Sequence, residues 1–306
     1  MLQPSFFIVG APKCGTTAFC KYLDRHPDVF IPKLKELHYF DIDLKSKNKV
    51  NSLQGYLDLF AEGKDKICGE GSPTYLYSKA AAQAIYEFNP KAKIIIMLRE
   101  PVEMMYSFHS QHLFNGSSET VQDFGAAIDL ESTRKQGQKI PDRCVEPQIL
   151  FYRDFARYAD QVERFFNIFG KDNVKIILFK DFTRNTATIF QETLDFIGAD
   201  PAFETDFIAK NSNRKIRNTW LQTLIKYPPS QVLEMGKYLL PIPQSMRRAL
   251  LEGAKAKLKK LNTQKAPRKP LEPELRYRLM RELEPDTRRL AELINRDLNH
   301  WLQDLR

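Results

Sequence analysis

The feature that most constrains this chain lies at its start, where Ser5-Phe-Phe-Ile-Val-Gly10 runs into Ala-Pro-Lys-Cys-Gly-Thr-Thr17. The apolar run reads as a short buried strand, and Thr16 to Arg25 reads as a helix that ends before His26-Pro27. Between them, the stretch from Gly10 to Thr17 packs two glycines, a lysine and two hydroxyls into eight residues. A strand, a glycine-bounded loop and a helix in that order direct backbone N–H groups and a helix N-terminus at one point, where an anion can be cradled. A strand buried from its first residues also calls for helices on both faces of its sheet.

The rest of the chain answers that call. Strand-like runs recur at Lys66 to Glu70, Lys93 to Leu98 and Val174 to Phe179, and helical patterns cover Lys79 to Phe88, Pro101 to Phe114, Gln148 to Phe169 and Thr186 to Ile197. This alternation predicts an α/β fold, a central parallel sheet flanked by helices. After Asn211 the strand signals stop. A basic stretch from Arg247 to Lys269 leads through Pro267 and Pro270 into a helical tail, with Leu275, Leu279 and Leu283 spaced by four and followed by Leu290, Ile294 and Trp301. The expectation is one domain over 1–306, with an α/β core at 5–220 and a helical, basic extension at 221–306 that packs back on it. Asn115 to Pro147 is polar and weakly periodic and is expected to run over the active-site edge as an acceptor-recognition region.

The position of the lysine narrows the chemistry. In an ATP or GTP loop a lysine directly precedes the Ser or Thr that holds magnesium, but here Gly15 has that place and Lys13 lies inside the loop. An inward ammonium can neutralise charge that develops between a donor and its leaving group without a metal. Sulfuryl transfer suits such a site, because the transferred group carries less negative charge than a phosphoryl group.

With these residues in view, Pro12-Lys-Cys-Gly-Thr-Thr-Ala18 resembles the 5′-phosphosulfate loop of sulfotransferases that use 3′-phosphoadenosine-5′-phosphosulfate (PAPS). The segment from Ile94 to Leu113, a strand ending in Arg99 and a helix bearing Ser107, is similar to that family's 3′-phosphate site. A guanidinium can grip a phosphate through two N–H bonds, and a serine in the adjoining helix adds a directed hydroxyl. The resemblance implies the P-loop-NTPase-like sulfotransferase fold and a PAPS donor that leaves as 3′-phosphoadenosine-5′-phosphate (PAP), with no metal. It implies donor contacts from Lys13, Cys14, Gly15, Thr16, Thr17, Ala18, Arg99 and Ser107. Arg214, in a loop expected to close over the donor between Asn211 and Arg217, is a further phosphate candidate.

Lys33-Leu-Lys-Glu-Leu-His-Tyr-Phe40 resembles a segment of carbohydrate-type sulfotransferases whose glutamate is the general base, which assigns that role to Glu36, with Lys35 nearby to adjust it. His38 is the competing base, since imidazole titrates near neutral pH. Gly69-Glu-Gly-Ser-Pro-Thr-Tyr75 is similar to another stretch of the same relatives, with Gly71 where many carbohydrate-modifying members carry lysine. Glu70 is read as orienting Lys13 or contacting the acceptor, and Ser72-Pro73 as a helix-entry turn. His109 and His112, on the helix after Arg99, are read as packing or surface residues. Ala156 to Phe166 and Phe179 to Phe182 look like the family's later helix and strand, and Arg268 to Leu302 looks like the end of its bacterial members. The implied acceptor is a saccharide or a small-molecule alcohol, sulfated on a hydroxyl or an amine.

Composition limits the alternatives. At 306 residues and 42% hydrophobic the chain can bury a large core. Its apolar runs are too short for a bilayer span and no signal peptide precedes them, so the expected location is cytoplasmic, without membrane insertion. The four cysteines show no zinc-like spacing and are read as reduced thiols. From Ser245 to Arg306 there are sixteen Lys and Arg against nine Asp and Glu, so a net +7 of the chain's +9 lies in the tail. That tail lacks the signatures of nucleic-acid recognition, and no nucleic-acid partner is expected. Nothing in the sequence specifies an oligomeric state. Two other readings stay open: a magnesium-dependent small-molecule kinase, and a non-enzymatic module that binds polyanions through the basic tail.

Overall fold

The first strand, β1 (Phe6–Gly10), is buried over all five residues, as a strand is when both faces of its sheet are covered. The computed structural model of the chain describes residues 3–46, 49–116, 118–207, 214–216, 253, 258, 261–265 and 268–303. Helix α1 (Thr16–Leu23) follows the loop, then β2 (Val29–Phe30), α2 (Leu53–Asp58), β3 (Ile67–Gly71), α3 (Ala81–Phe88), β4 (Lys93–Leu98) and α4 (Pro101–Asn115). After these come α5 (Phe124–Asp129), α6 (Glu131–Lys135), α7 (Tyr152–Ala156), α8 (Tyr158–Phe169), β5 (Val174–Leu178), α9 (Phe179–Arg184) and α10 (Thr186–Ile197). Two short strands, β6 (Arg214–Ile216) and β7 (Thr263–Lys265), precede α11 (Pro273–Ile294).

The main sheet is parallel with the order β2-β3-β1-β4-β5. This order puts β1 in the middle, with β3 and β4 as its neighbours. The chain segments that leave the carboxyl ends of these three strands are the phosphate loop, Ser72 to Tyr75, and Arg99-Glu100. They meet at the sheet edge where α/β folds bind ligands. Backbone bonds tie the segments to the sheet: the Ala11 N–H donates to Met97 O at 2.6 Å, and the Leu76 N–H to Val9 O at 2.7 Å.

The expected strands and most expected helices form at or within a residue or two of their predicted ends. One helix expected over Gln148 to Phe169 is instead broken into a 3₁₀ turn, α7 and α8, with Arg157 non-helical at φ −81° and ψ 86° between the last two. The reason is tertiary: Asp286 of α11 accepts from the N–H of Tyr158 at 2.8 Å and of Ala159 at 3.3 Å, so a new helix N-terminus is capped there. Strands also occur after Asn211, where none were expected. β6 and β7 pair antiparallel with Arg214 opposite Lys265, each too short for a period to show in sequence.

Phe179 to Phe182 begins α9 and is not a strand. The polar stretch from Asn115 to Pro147 contains α5 and α6 and is anchored by a fully buried ion pair. Arg134 donates to both oxygens of Glu119 at 2.7 Å, and Tyr152 donates to Glu119 at 2.9 Å. Helix α11 lies on α8 and α4, with Leu279, Leu283 and Leu290 buried and Leu275 and Ile294 partly so, while most of residues 217–260 lie outside the described residues.

Candidate active site

The loop after β1 is shaped by two left-handed residues, Lys13 at φ 65° and Gly15 at φ 89°. Gly15 caps α1, and a Cβ there would meet the rings of Phe179 and Phe182 at 3.2 Å on a backbone that side chains rarely adopt. The N–H groups of Thr16 and Thr17 open the helix and have no intrahelical acceptor, which leaves them for a ligand. Ala18 N–H already donates to Gly15 O at 3.0 Å. Cys14 turns its thiol inward onto Pro12 O at 3.4 Å, and burial pushes that thiol up to about 12. Only the backbone of Cys14 can serve a donor.

Three cations converge beside this loop. Burial lowers the Lys13 ammonium below its ordinary range, and the nearby charges of Arg268 and Arg99 lower it further. Arg268 is itself pushed down by burial and then by Arg99. Arg268 Nη2 donates to Ser107 Oγ at 3.2 Å, its guanidinium lies 5.4 Å from the centre of the Tyr106 ring, and its Nε is buried with no partner among the described residues. Arg99 donates to Glu103 at 3.0 Å and lies 4.9 Å from the Phe179 ring centre. Like charges gathered this way in a partly buried setting favour an anion, because a bound anion removes the mutual repulsion and the cost of burial together. Ser107 is 5% exposed, and its hydroxyl completes the cluster.

Arg268 had not been expected here. Its sequence signal was hidden in a basic stretch that reads as a solvated face, and only the return of α11 onto α4 brings it to Ser107.

The segment 35–41 reaches the phosphate loop through Lys35. Lys35 Nζ donates to Thr17 Oγ1 at 3.0 Å, so it serves the phosphate loop rather than Glu36 alone. Glu36 at φ 58° is exposed, Leu37 is fully buried, and His38 at φ 51° is partly buried. The Glu36 charge opposes the lowering of the Lys13 pKa and adds to the raising of the His38 pKa, so Glu36 is within electrostatic reach of both. His38 Nδ1 bonds Asp41 Oδ2 at 2.8 Å, and Thr74 Oγ1 donates to the same oxygen at 2.8 Å. Burial works to lower the His38 pKa, but the Asp41 hydrogen bond and charge outweigh it and the net shift is upward.

Contacts and through-space charge thus link Lys13 with Arg99, Arg268 and Glu36, and Ser107 with Arg268, while other residues stand differently from their reading in sequence. Glu70 does not orient Lys13: it is 2% exposed and accepts from Tyr56 at 2.6 Å, Ser72 at 2.6 Å and Tyr75 at 2.8 Å. Ser72-Pro73 opens a turn and not a helix. At Gly71 an added Cβ would lie 2.6 Å from Cys20 Sγ, so the place of a lysine in many relatives is here backed by a cysteine of α1. Arg214 begins β6, which lies beside α4; its side chain and residues 211–213 and 217 are outside the described residues. His109 and His112 pack as expected. His109 Nε2 meets Val121 O at 2.9 Å, and burial takes His112 down to about 3.

Comparison with known proteins accords with this geometry. The family description "Sulfotransferase domain" matches residues 3–240. A bifunctional heparan sulfate N-deacetylase/N-sulfotransferase 3 of Mus musculus is 25% identical over 214 residues, covering 65% of this chain and 23% of that protein. Carbohydrate sulfotransferase 15 of Mus musculus is 26% identical over 253 residues, covering 66% of this chain and 45% of that one. The chain thus spans less than half the length of these curated relatives. The crystal structure of a sulfotransferase from Alicyclobacillus acidocaldarius superposes with a TM-score of 0.72 at 29% identity, covering 99% of this chain and 100% of that one. Loop, cation cluster, fold and family match agree, and the chain belongs to the sulfotransferase domain family.

Proposed function

We propose that the chain transfers a sulfuryl group from PAPS to a hydroxyl or amine of a saccharide. The observation that carries the donor reading is the convergence of Lys13, Arg99 and Arg268 with Ser107 beside a helix N-terminus. Two anionic groups at opposite ends of one nucleotide suit this layout, with Thr16 and Thr17 at one end and Arg99, Ser107 and Arg268 at the other. When bound, PAPS supplies an activated sulfuryl group on a good leaving phosphate.

The chain's own groups supply the rest. Lys13, in the phosphate loop and within electrostatic reach of Arg99 and Arg268, donates to the oxygen that departs with the phosphate. Its positive neighbours and Lys35 provide charge that a divalent metal supplies in phosphoryl transfer. Glu36 takes the acceptor proton, and its exposure leaves room for a saccharide. The saccharide class is supported by the names of the heparan sulfate and carbohydrate relatives. The absence of a lysine at position 71 marks a difference in how that acceptor is held.

Calorimetric titration with PAP, against ATP with and without magnesium, tests the donor. PAP is expected to bind without magnesium. Arg99→Ala and Arg268→Ala are each expected to weaken it by about ten- to a hundredfold, the loss of a charge-assisted hydrogen bond worth about 1.5–3 kcal/mol. Preference for magnesium-ATP would overturn the proposal.

A further inference from the structure

Glu70 and Tyr75 take no part in the chemistry just proposed, yet both are buried and joined in one hydrogen-bond network with Tyr56 and Ser72. Three observations show what it does. First, Glu36 and His38 both hold left-handed backbone, φ 58° and 51°, with one residue between them. Non-glycine residues in that region are held there by their surroundings and not by preference. Secondly, the backbone N–H groups that follow, of Tyr39 and Phe40, both donate to the hydroxyl of Tyr75, at 3.0 and 3.4 Å. Thirdly, Tyr75 donates its own proton to Glu70 Oε1 at 2.8 Å.

The direction of these bonds matters. The hydroxyls of Tyr56, Ser72 and Tyr75 all donate to Glu70, whose pKa burial raises while these three bonds oppose it. That fixes the Tyr75 hydroxyl with its lone pairs toward the loop, as the acceptor that two adjacent N–H groups require. Glu70 sits in β3 opposite Phe7 of β1, so the anchor is the centre of the sheet. The neighbouring Thr74 holds Asp41, and through it His38, so one turn after β3 grips the 38–41 end of the loop at two places. On the other side the buried Leu37 pins the loop, and its carbonyl accepts from Val50 N–H at 3.0 Å.

We infer that Tyr75, oriented by the buried carboxylate of Glu70, is a positioning residue that holds the loop carrying Glu36 and His38 in its left-handed form. The inference rests on the reading above that this loop carries the base. Tyr75 touches no reacting atom; it acts through the backbone of residues 39 and 40.

The test uses the full chain and Tyr75→Phe, which removes one oxygen and keeps the ring. Amide hydrogen exchange at Tyr39 and Phe40 is expected to run about five- to thirtyfold faster, the effect of losing one or two modest hydrogen bonds. Exchange in β1, β3 and β4 and the affinity and stoichiometry for PAP are expected to stay as in the parent. Release of PAP from PAPS with water as the acceptor, at saturating PAPS, is expected to slow by about ten- to a hundredfold, as a misplaced catalytic group does.

Glu70→Gln gives a second reading, and Tyr75→Phe/Glu70→Gln is expected to be no slower than the slower single variant, because Glu70 acts through Tyr75. Unchanged exchange at 39 and 40 in Tyr75→Phe would overturn the inference. So would faster exchange across the whole sheet with PAP binding lost, the mark of a merely structural tyrosine. Glu36→Gln, measured alongside, separates the two claims: if it leaves the rate unchanged, the base assignment fails, and exchange at 39 and 40 still decides whether Tyr75 holds the loop.

Discussion

Lys13 is lysine under pressure from three directions: burial, Arg268 and Arg99 all favour its neutral form. A bound phosphate anion reverses that balance and draws the pKa back up. The sign follows directly. Between the depressed pKa of the unliganded protein and the higher pKa of the complex, binding takes up a proton, and affinity falls as pH rises through the lower value. Calorimetry of PAP binding in buffers of different ionisation enthalpy is expected to show proton uptake that grows from neutral toward alkaline pH and disappears in Lys13→Met. Uptake unchanged in that variant would assign the proton elsewhere. At this scale the phosphate loop, Arg99 and Ser107 were legible because each lies within a few residues of a strand end, where local order dictates position. Arg268 was not legible, since it reaches Ser107 across 161 residues. Asp41 and Thr74 escaped notice for a similar reason: each is an ordinary turn residue until folding places both on His38.

Among the elements, α11 shows how a distant helix decides a local boundary. Asp286 lies at the N-terminus of α8 and accepts from two of its first N–H groups, so the break at Arg157 belongs to α11 as much as to the α7–α8 segment. Burial raises the Asp286 pKa, with the two backbone hydrogen bonds opposing it. The charge is thus the costly part of the cap and the oxygen the useful part. Asp286→Ala is expected to lower stability by about 1–2 kcal/mol, read as a lower urea midpoint at unchanged slope, whereas Asp286→Asn, which keeps an acceptor without the charge, stays within about 0.5 kcal/mol of the parent. Equal losses in both variants would show that the ionised form is required. The helical period of Gln148 to Phe169 is unbroken in sequence, since the residues of α7 and α8 carry no proline or glycine to mark a stop. The stop signal is Asp286, more than a hundred residues away. By contrast β1, β4, α4 and α10 carry their own punctuation, such as Pro101 at the start of α4 and Gly198 after α10, and the sequence places them closely.

For the whole molecule, the cation cluster draws on four parts of the chain and adds to the packing, ion pairs and hydrogen bonds through which they already meet. Lys13 comes from the loop after β1, Arg99 from the end of β4, Ser107 from α4 and Arg268 from the segment leading into α11. The exposed ion pairs that join α11 to the core, such as Arg289 with Glu163 and Arg278 with Asp129, contribute little each, so the docking of the tail rests on buried Leu279, Leu283 and Leu290 and on what the cluster binds. A ligand that bridges the cluster binds only the form in which tail and core are together. PAP at a hundred times its dissociation constant is therefore expected to add about 2.7 kcal/mol to the unfolding free energy. The effect is expected in one transition that includes α11, followed by hydrogen exchange in both β1 and α11. In Arg268→Ala the same PAP concentration still protects β1 through Lys13 and Arg99, but protection of α11 drops back toward the unliganded level. If α11 gained equal protection in Arg268→Ala, the coupling between tail and core would run through the packed leucines alone, and Arg268 would be a donor contact without a part in holding the molecule together.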